Sequence, residues 1–260
     1  MTDFKTKYGP WALVAGASEG LGAAFAEALA ERGLHLILIA RRLDKLEDLA
    51  LQLKKVYHIE IKIYALDLAD FESVKNKLIQ CNEVIGLLIY NAAYAPIGYF
   101  EHIPEPSLEQ IVDVNIKAPL LLSKLMSRKM IERKKGGIVL MSSLAGNQGS
   151  PKIATYAASK AFNAILAEGL WRELKKQGID VLASCAGAIS TPGYKNAQNT
   201  KDAPGTLSAK QVAESTLQAL GKGPTIIPGF TNKLAHFFMN RIFPRKWAIS
   251  IMDKNTKDLS

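Results

Sequence analysis

Short apolar runs alternate along the chain with longer stretches whose apolar residues recur every three or four positions. The runs at 11–17 (WALVAGA), 34–40, 59–67, 85–93, 136–143 and 179–186 read as strands, with a short seventh at 224–229. Helical periodicity fills the gaps at 20–32, 43–57, about 70–80, 107–133, 154–176 and 208–220. Leu43, Leu46, Leu49 and Leu53 show the spacing most clearly, and Gly33 and Gly178 close two of the helices. Nearly unbroken apolar strands separated by amphipathic helices predict a parallel sheet covered on both faces. Because such crossovers are right-handed, the predicted architecture is an α/β, doubly wound, seven-stranded parallel sheet. We expect one domain over 1–230, a polar, Gly- and Pro-rich substrate-side loop at 190–206, and an amphipathic extension over 231–260.

Composition narrows the class. The 260 residues are 48% hydrophobic and 22% charged, enough apolar material for one large core. The formal charge of +9 is spread along the chain, with only small clusters such as RKMIERKK at 128–135. No nucleic-acid motif surrounds them, so they read as solvated helix faces and no nucleic-acid partner is expected. Cys81 and Cys185 are far apart, and His35, His58, His102 and His236 lack metal-ligand spacing, so neither a disulfide framework nor a metal site is expected. This cysteine usage fits a reducing cytosol. The first residues, MTDFKTKYGPWALVAGAS, do not read as a signal peptide, and no run of about 18 apolar residues offers a membrane span. The expected location is cytoplasmic.

In doubly wound sheets ligands bind beyond the carboxyl ends of the strands, and the unusual residues fall there. Gly16, Gly20 and Gly22 lie between the first strand and its helix, where a tight turn lets a pyrophosphate approach the helix N-terminus. The spacing, G-x-x-x-G-x-G, is weak alone; its strand-to-helix position makes the fold Rossmann-like. After the second strand come Arg41 and Arg42, where an NAD site usually carries an acid. A guanidinium there can bind a 2′-phosphate that a carboxylate would repel, so NADP(H) is expected over NAD(H); the plain alternative is two solvated arginines opening a helix. Asp67 and Leu68 end the third strand, placed either to meet an adenine edge or, for Asp67, to cap a helix.

The stretch ATYAASK places Tyr156 and Lys160 one helical turn apart, after a strand ending in Ser142 and Ser143. Asn91 ends the fourth strand, and Asn115 lies in a helical region where Asn is a poor choice. Over about residues 8–230 the sequence resembles the short-chain dehydrogenase/reductase family. Its glycine turn corresponds to AGASEGLG (15–22), its N-N-A-G to YNAA (90–93), its Y-x-x-x-K to Tyr156 and Lys160, and its P-G-x-V-x-T to AGAIST (186–191). The family's Ser precedes its Tyr by thirteen residues, which selects Ser143 over Ser142. The resemblance implies catalytic Asn115, Ser143, Tyr156 and Lys160. It further implies cofactor contacts from Gly16, Ser18, Gly20, Leu21, Gly22, Asn91, Ala92, Tyr156, Lys160, Ile189 and Thr191. Tyr156 would be general acid for reduction and base for oxidation, Lys160 lowering its pKa and holding the nicotinamide ribose. Ser143 would bind the substrate oxygen, Asn115 join a water relay, and Ile189 and Thr191 meet the carboxamide.

Several positions depart from the family pattern. Tyr90 and Ala93 replace the first Asn and the Gly of N-N-A-G, Ala15 replaces a Thr, and Ala186 a Pro. Glu19 stands where many NADP-dependent members carry a base, leaving Arg41, with Ser18 and Arg42, to hold the phosphate. In the tail, Leu234, Phe237, Phe238 and Ile242 share a helical face beside Lys233, Arg241, Arg245 and Lys246. It can cap the pocket, form a subunit interface or rest on an anionic membrane. The expected enzyme is an NADP(H)-dependent oxidoreductase on a carbonyl/alcohol substrate, with an apolar, lipid- or steroid-like compound favoured, and a homodimer or homotetramer. A non-catalytic NADP-binding sensor or scaffold of the same fold is the rival reading.

Overall fold

A computed structural model describes residues 4–197 and 203–257. Seven parallel strands form one sheet: β1 (Trp11–Ala15), β2 (His35–Ala40), β3 (Ile61–Ala65), β4 (Ile85–Tyr90), β5 (Gly136–Ser143), β6 (Ile179–Ala186) and β9 (Thr225–Ile226). Their order across the sheet is β3-β2-β1-β4-β5-β6-β9, so the winding reverses between β1 and β4. Every predicted strand is present, some of them shorter at one or both ends than the apolar runs.

The side-chain period of two divides the core. Ala12 and Val14 of β1 and Leu36 and Leu38 of β2 point to one face. There they meet Phe25 and Leu29 of α2 (Gly20–Glu31), Leu46 and Leu53 of α3 (Leu43–Tyr57) and Val212 of α9 (Ala209–Ala219). Leu13, Ile37 and Ile39 point to the other face. They pack with Val74 of α4 (Phe71–Ile79), Leu122 and Met126 of α6 (Ala118–Arg133) and Ala167 of α7 (Ala154–Lys175). A short α1 (Phe4–Tyr8) precedes the sheet, its Tyr8 hydroxyl donating to Asp180 at 2.6 Å.

The helix expected over 107–133 is instead α5 (Glu105–Val112), a five-residue π-helical segment (Asp113–Lys117) and α6. The cause is local. Pro119 has no N–H to give the Asn115 carbonyl four residues back, so regular α-helical bonding cannot pass through this point.

The segment expected as a loop over 190–206 carries more structure than its composition suggested; residues 198–202 of it lie outside the described residues. Strand β7 (Ile189–Ser190) pairs in parallel with β8 (Leu207–Ser208), and α8 (Pro192–Ala197) lies between them. The tail forms α10 (Phe230–Phe237), a π-helical turn (Phe238–Ile242) and α11 (Arg245–Thr256). It folds onto the link between β5 and α7: Asn147 contacts His236 at 2.9 Å, Arg245 donates to the Asn147 carbonyl, and Lys152 donates to Lys257 O at 2.6 Å. Ala248 and Thr256 are buried by this packing.

Candidate active site

The glycine turn is locked from three sides. Gly16 N and Ala17 N donate to Ile39 O of β2, and Asn91 Nδ2 donates to Gly16 O at 2.9 Å. Asn91 N and Ala92 N both donate to Ala15 O, closing the β1–β4 crevice. Gly16 has φ +83°, and a Cβ there would meet Ala92 N at 2.7 Å. At Gly22 a Cβ would lie 1.9 Å from Gly16 O. These glycines let strand, turn and helix approach closely enough to leave a backbone cradle at the start of α2.

A cavity of about 560 Å³ extends over this cradle. At one end stand Ser18, Arg41 and Arg42; the middle is lined by Gly16, Gly20, Leu21, Asp67, Leu68, Asn91 and Ala92; Tyr156, Lys160, Ile189 and Thr191 close the other end. Of the residues singled out in the sequence, Gly22, Asn115 and Ser143 do not line it, and each of these supports a neighbour that does. Ser142 lines it instead of Ser143, although its hydroxyl is spent on Lys160 O at 2.7 Å.

At the arginine end the two guanidiniums differ. Arg42 pairs with Glu19 at 2.9 Å and donates to Ser18 Oγ at 2.8 Å, and its pKa is raised, first by the Glu19 hydrogen bond. Arg41 is exposed and also lines the cavity. The two roles weighed for Asp67 separate as well. Asp67 accepts from Ala69 N at 3.0 Å, while the cap of α4 is Asp70, which accepts from Ser73 N.

At the other end, Tyr156 lies in the first turn of α7, half-buried, and its hydroxyl shares a hydrogen bond with the Ser143 side chain. Ser143 Oγ also accepts from Ala145 N, which fixes its rotamer at the strand end. Lys160, 3% exposed, donates from Nζ to Met141 O at 3.0 Å and sits 5.5 Å from the Tyr156 ring centroid. The expected lowering of the Tyr156 pKa by Lys160 is not what this arrangement produces. Burial holds Tyr156 above the usual phenol range, opposed by the Ser143 bond, and burial brings Lys160 down to about 8. Each group is pushed toward its neutral form because low polarity penalises charge.

Asn115 is fully buried in the π-helical segment. Its Oδ1 accepts from Tyr94 N at 2.7 Å, and its Nδ2 donates to Tyr94 O and to Ser159 Oγ. The side chain is therefore a clamp between the loop after β4 and α7. Its main-chain carbonyl, released by Pro119, accepts from Asn163 Nδ2 at 3.0 Å. Asn163, Ser159, Tyr94 and the cavity-lining residues Gln110 and Val114 did not stand out in the sequence. Ser159 and Asn163 had a legible signal: both are polar residues on the face of α7 that carries Tyr156 and Lys160, at one and two turns from Tyr156.

A doubly wound parallel sheet with a glycine cradle at its switch point defines a nucleotide-binding α/β protein. Residues 10–202 match the family model described as short chain dehydrogenase, and the chain belongs to that family of oxidoreductases acting on CH–OH and C=O groups. It is 32% identical to the 7beta-hydroxysteroid dehydrogenase of Clostridium sardiniense over 89% of this chain and 90% of that one. Identity is 29% to the very-long-chain 3-oxoacyl-CoA reductase of Anas platyrhynchos, over 96% and 81% of the two chains. It is 37% to the human inactive hydroxysteroid dehydrogenase-like protein 1, over 69% and 56%. A structure from a study of 7beta-hydroxysteroid dehydrogenase stereoselectivity superposes with a TM-score of 0.90 at 25% identity, covering 96% and 99%. A Sphingobium yanoikuyae short-chain dehydrogenase in complex with NADPH gives 0.77 at 28%, covering 84% and 87%.

Proposed function

We propose that the protein is an NADP(H)-dependent reductase, and the reverse dehydrogenase, of an apolar carbonyl/secondary alcohol substrate. The observation that carries this is one continuous cavity joining Arg41 to Tyr156 and Lys160 across the glycine cradle. The cradle fits a dinucleotide: a Cβ at Gly16 would strike Ala92, and the cavity volume is typical of a small-molecule site. Gly16, Ser18, Gly20 and Leu21 would hold its pyrophosphate, Arg41 its 2′-phosphate, Asp67 and Leu68 its adenine, and Ile189 and Thr191 its carboxamide. When bound, NADPH supplies the hydride.

The chain's own residues do the rest. Tyr156, kept protonated by burial, donates its hydroxyl proton to the carbonyl oxygen, while Ser143 holds that oxygen and the tyrosine in line. Lys160 holds the ribose side and returns a proton toward Tyr156. Asn115 clamps the loop carrying Tyr94, and Asn163 holds the Asn115 carbonyl beside α7. Tyr94, Gln110 and Val114 form the substrate side. Steroid and long-chain acyl names among the relatives support an apolar substrate. A sensor or scaffold, the reading that the inactive human relative favours, has no use for Tyr156 and Lys160 facing a cavity with Ser143 bonded to the Tyr156 hydroxyl.

We further propose a cytoplasmic enzyme, consistent with two buried unpaired cysteines, and a homodimer or homotetramer built on α6 and α7, where Leu120 and Ile165 are exposed. Residues 1–230 are the catalytic unit, with 190–206 on the substrate side.

The test is NADPH oxidation over ketones of graded size, with NADH in parallel. We expect NADPH to be preferred by at least about tenfold, as for loss of one charge-assisted phosphate contact. Rates should be highest for bulky apolar ketones. Equal rates with NADH would overturn the role given to Arg41.

A further inference from the structure

We propose that the C-terminal segment, residues 230–257, docks the protein on an anionic lipid surface. Its inner side is fixed to the fold through buried Ala248 and Thr256 and the bonds from Arg245 and Lys152. Its outer side is apolar and aromatic. Phe230 is 80% exposed, Trp247 62% and Phe237 51%, and Leu234 and Phe238 are also exposed. Phe237 meets Phe238 edge-on at 5.7 Å, and Phe238 lies 6.1 Å from Phe243, so these three rings adjoin across the turn between α10 and α11. A solvated helix pair has no use for this set, and a contiguous exposed apolar surface marks a docking face.

Charge selects the occupant. Lys233, Arg241, Arg245, Lys246, Lys254 and Lys257 lie in this segment against one acid, Asp253. A second copy of the chain would bring two such basic sets together with almost no acid to answer them. An anionic bilayer answers them directly: Lys and Arg flank aromatics that enter the headgroup region, and each basic residue at the surface strengthens binding about fivefold. No helix among the described residues is long and apolar enough to cross a membrane, so the contact is peripheral.

Docking also orients the cavity. Gly98 N donates to Lys152 O at 2.9 Å, which ties the tail's anchor to the loop bearing exposed Tyr99 and Phe100. That loop leads into α5, whose Gln110 lines the cavity. An apolar substrate dissolved in the bilayer would then reach the cavity without crossing water. This last step rests on the proposed reductase function; the docking does not.

The experiment is co-sedimentation with vesicles of phosphatidylcholine alone and of phosphatidylcholine mixed with phosphatidylglycerol. We expect the mixed vesicles to bind at least about tenfold more tightly, and added salt to weaken that binding. The double variant Phe237→Glu with Trp247→Glu, both more than half exposed, should lose at least about tenfold in vesicle binding while its NADPH oxidation with a water-soluble ketone stays unchanged. The double variant Arg241→Glu with Lys246→Glu should lose the preference for anionic vesicles. Equal binding to both vesicle types, or undiminished binding by the aromatic variant, overturns the proposal. So does a drop in sedimentation coefficient of the aromatic variant without lipid, which would assign the face to a second copy. Vesicle binding by a protein that reduces no ketone would uphold the dock and refute the reductase.

Discussion

At the scale of single residues, burial is the dominant force on the candidate site. Burial brings the Lys160 ammonium down to about 8, against 10.5 for an ordinary lysine. Between those values the unfolded chain binds more protons, so stability rises with pH through that window; below it the penalty is constant. Chemical denaturation of the wild type and of Lys160→Met should therefore diverge from pH 8 upward. The wild type should gain on the order of 3 kcal/mol relative to the variant by about pH 10.5. Parallel stability curves would show that Lys160 keeps its ordinary pKa. At the other end of the cavity, Glu19 occupies Arg42. Glu19→Gln should free that guanidinium and remove a carboxylate from the region proposed to hold a 2′-phosphate. NADPH binding should tighten about fivefold, about 1 kcal/mol, with NADH unchanged, as read by fluorescence titration.

At the scale of elements, periodicity made most of the fold legible, because apolar strands and amphipathic helices repeat with different periods and both faces of the sheet are covered. The seven strands and the helices α2, α3, α4, α7 and α9 were all recognisable in this way. The site was legible where chemistry forces a residue type at a fixed spacing: glycines in a strand-to-helix turn, or Tyr and Lys on one helical face. What escaped was set by contacts distant in sequence. Nothing near Asn163 in the chain shows that it faces Asn115, and nothing near Glu19 shows that it pairs with Arg42. The break at Asp113–Lys117 was written in NIKAP (115–119), an Asn and a Pro four apart, but the helical periodicity runs straight through it. Asn163→Leu would leave the Asn115 carbonyl buried without that donor. It should cost about 1–3 kcal/mol in denaturant unfolding. An unchanged midpoint would mean that other groups satisfy the carbonyl.

At the scale of the whole molecule, the sheet presents its chemistry at one edge, and the elements added beyond the strands gather around that edge. Strand β7, paired with β8, carries Ile189 to the cavity and leads into Thr191, and the tail packs against the link that leads into α7. Helix α7 thus carries Tyr156 and Lys160 on its inner face, and its outer face is the one proposed above for the subunit contact. Ile165 is 67% exposed on that outer face. If the proposed oligomer is built on this face, Ile165→Glu should lower the sedimentation coefficient in sedimentation velocity, and an unchanged coefficient would contradict that interface. The account as a whole turns on one proton. Tyr156→Phe keeps the ring and removes the hydroxyl, so the variant should bind NADPH like the wild type and lose nearly all ketone reduction, by at least about a hundredfold. Turnover at the wild-type rate in Tyr156→Phe would contradict it.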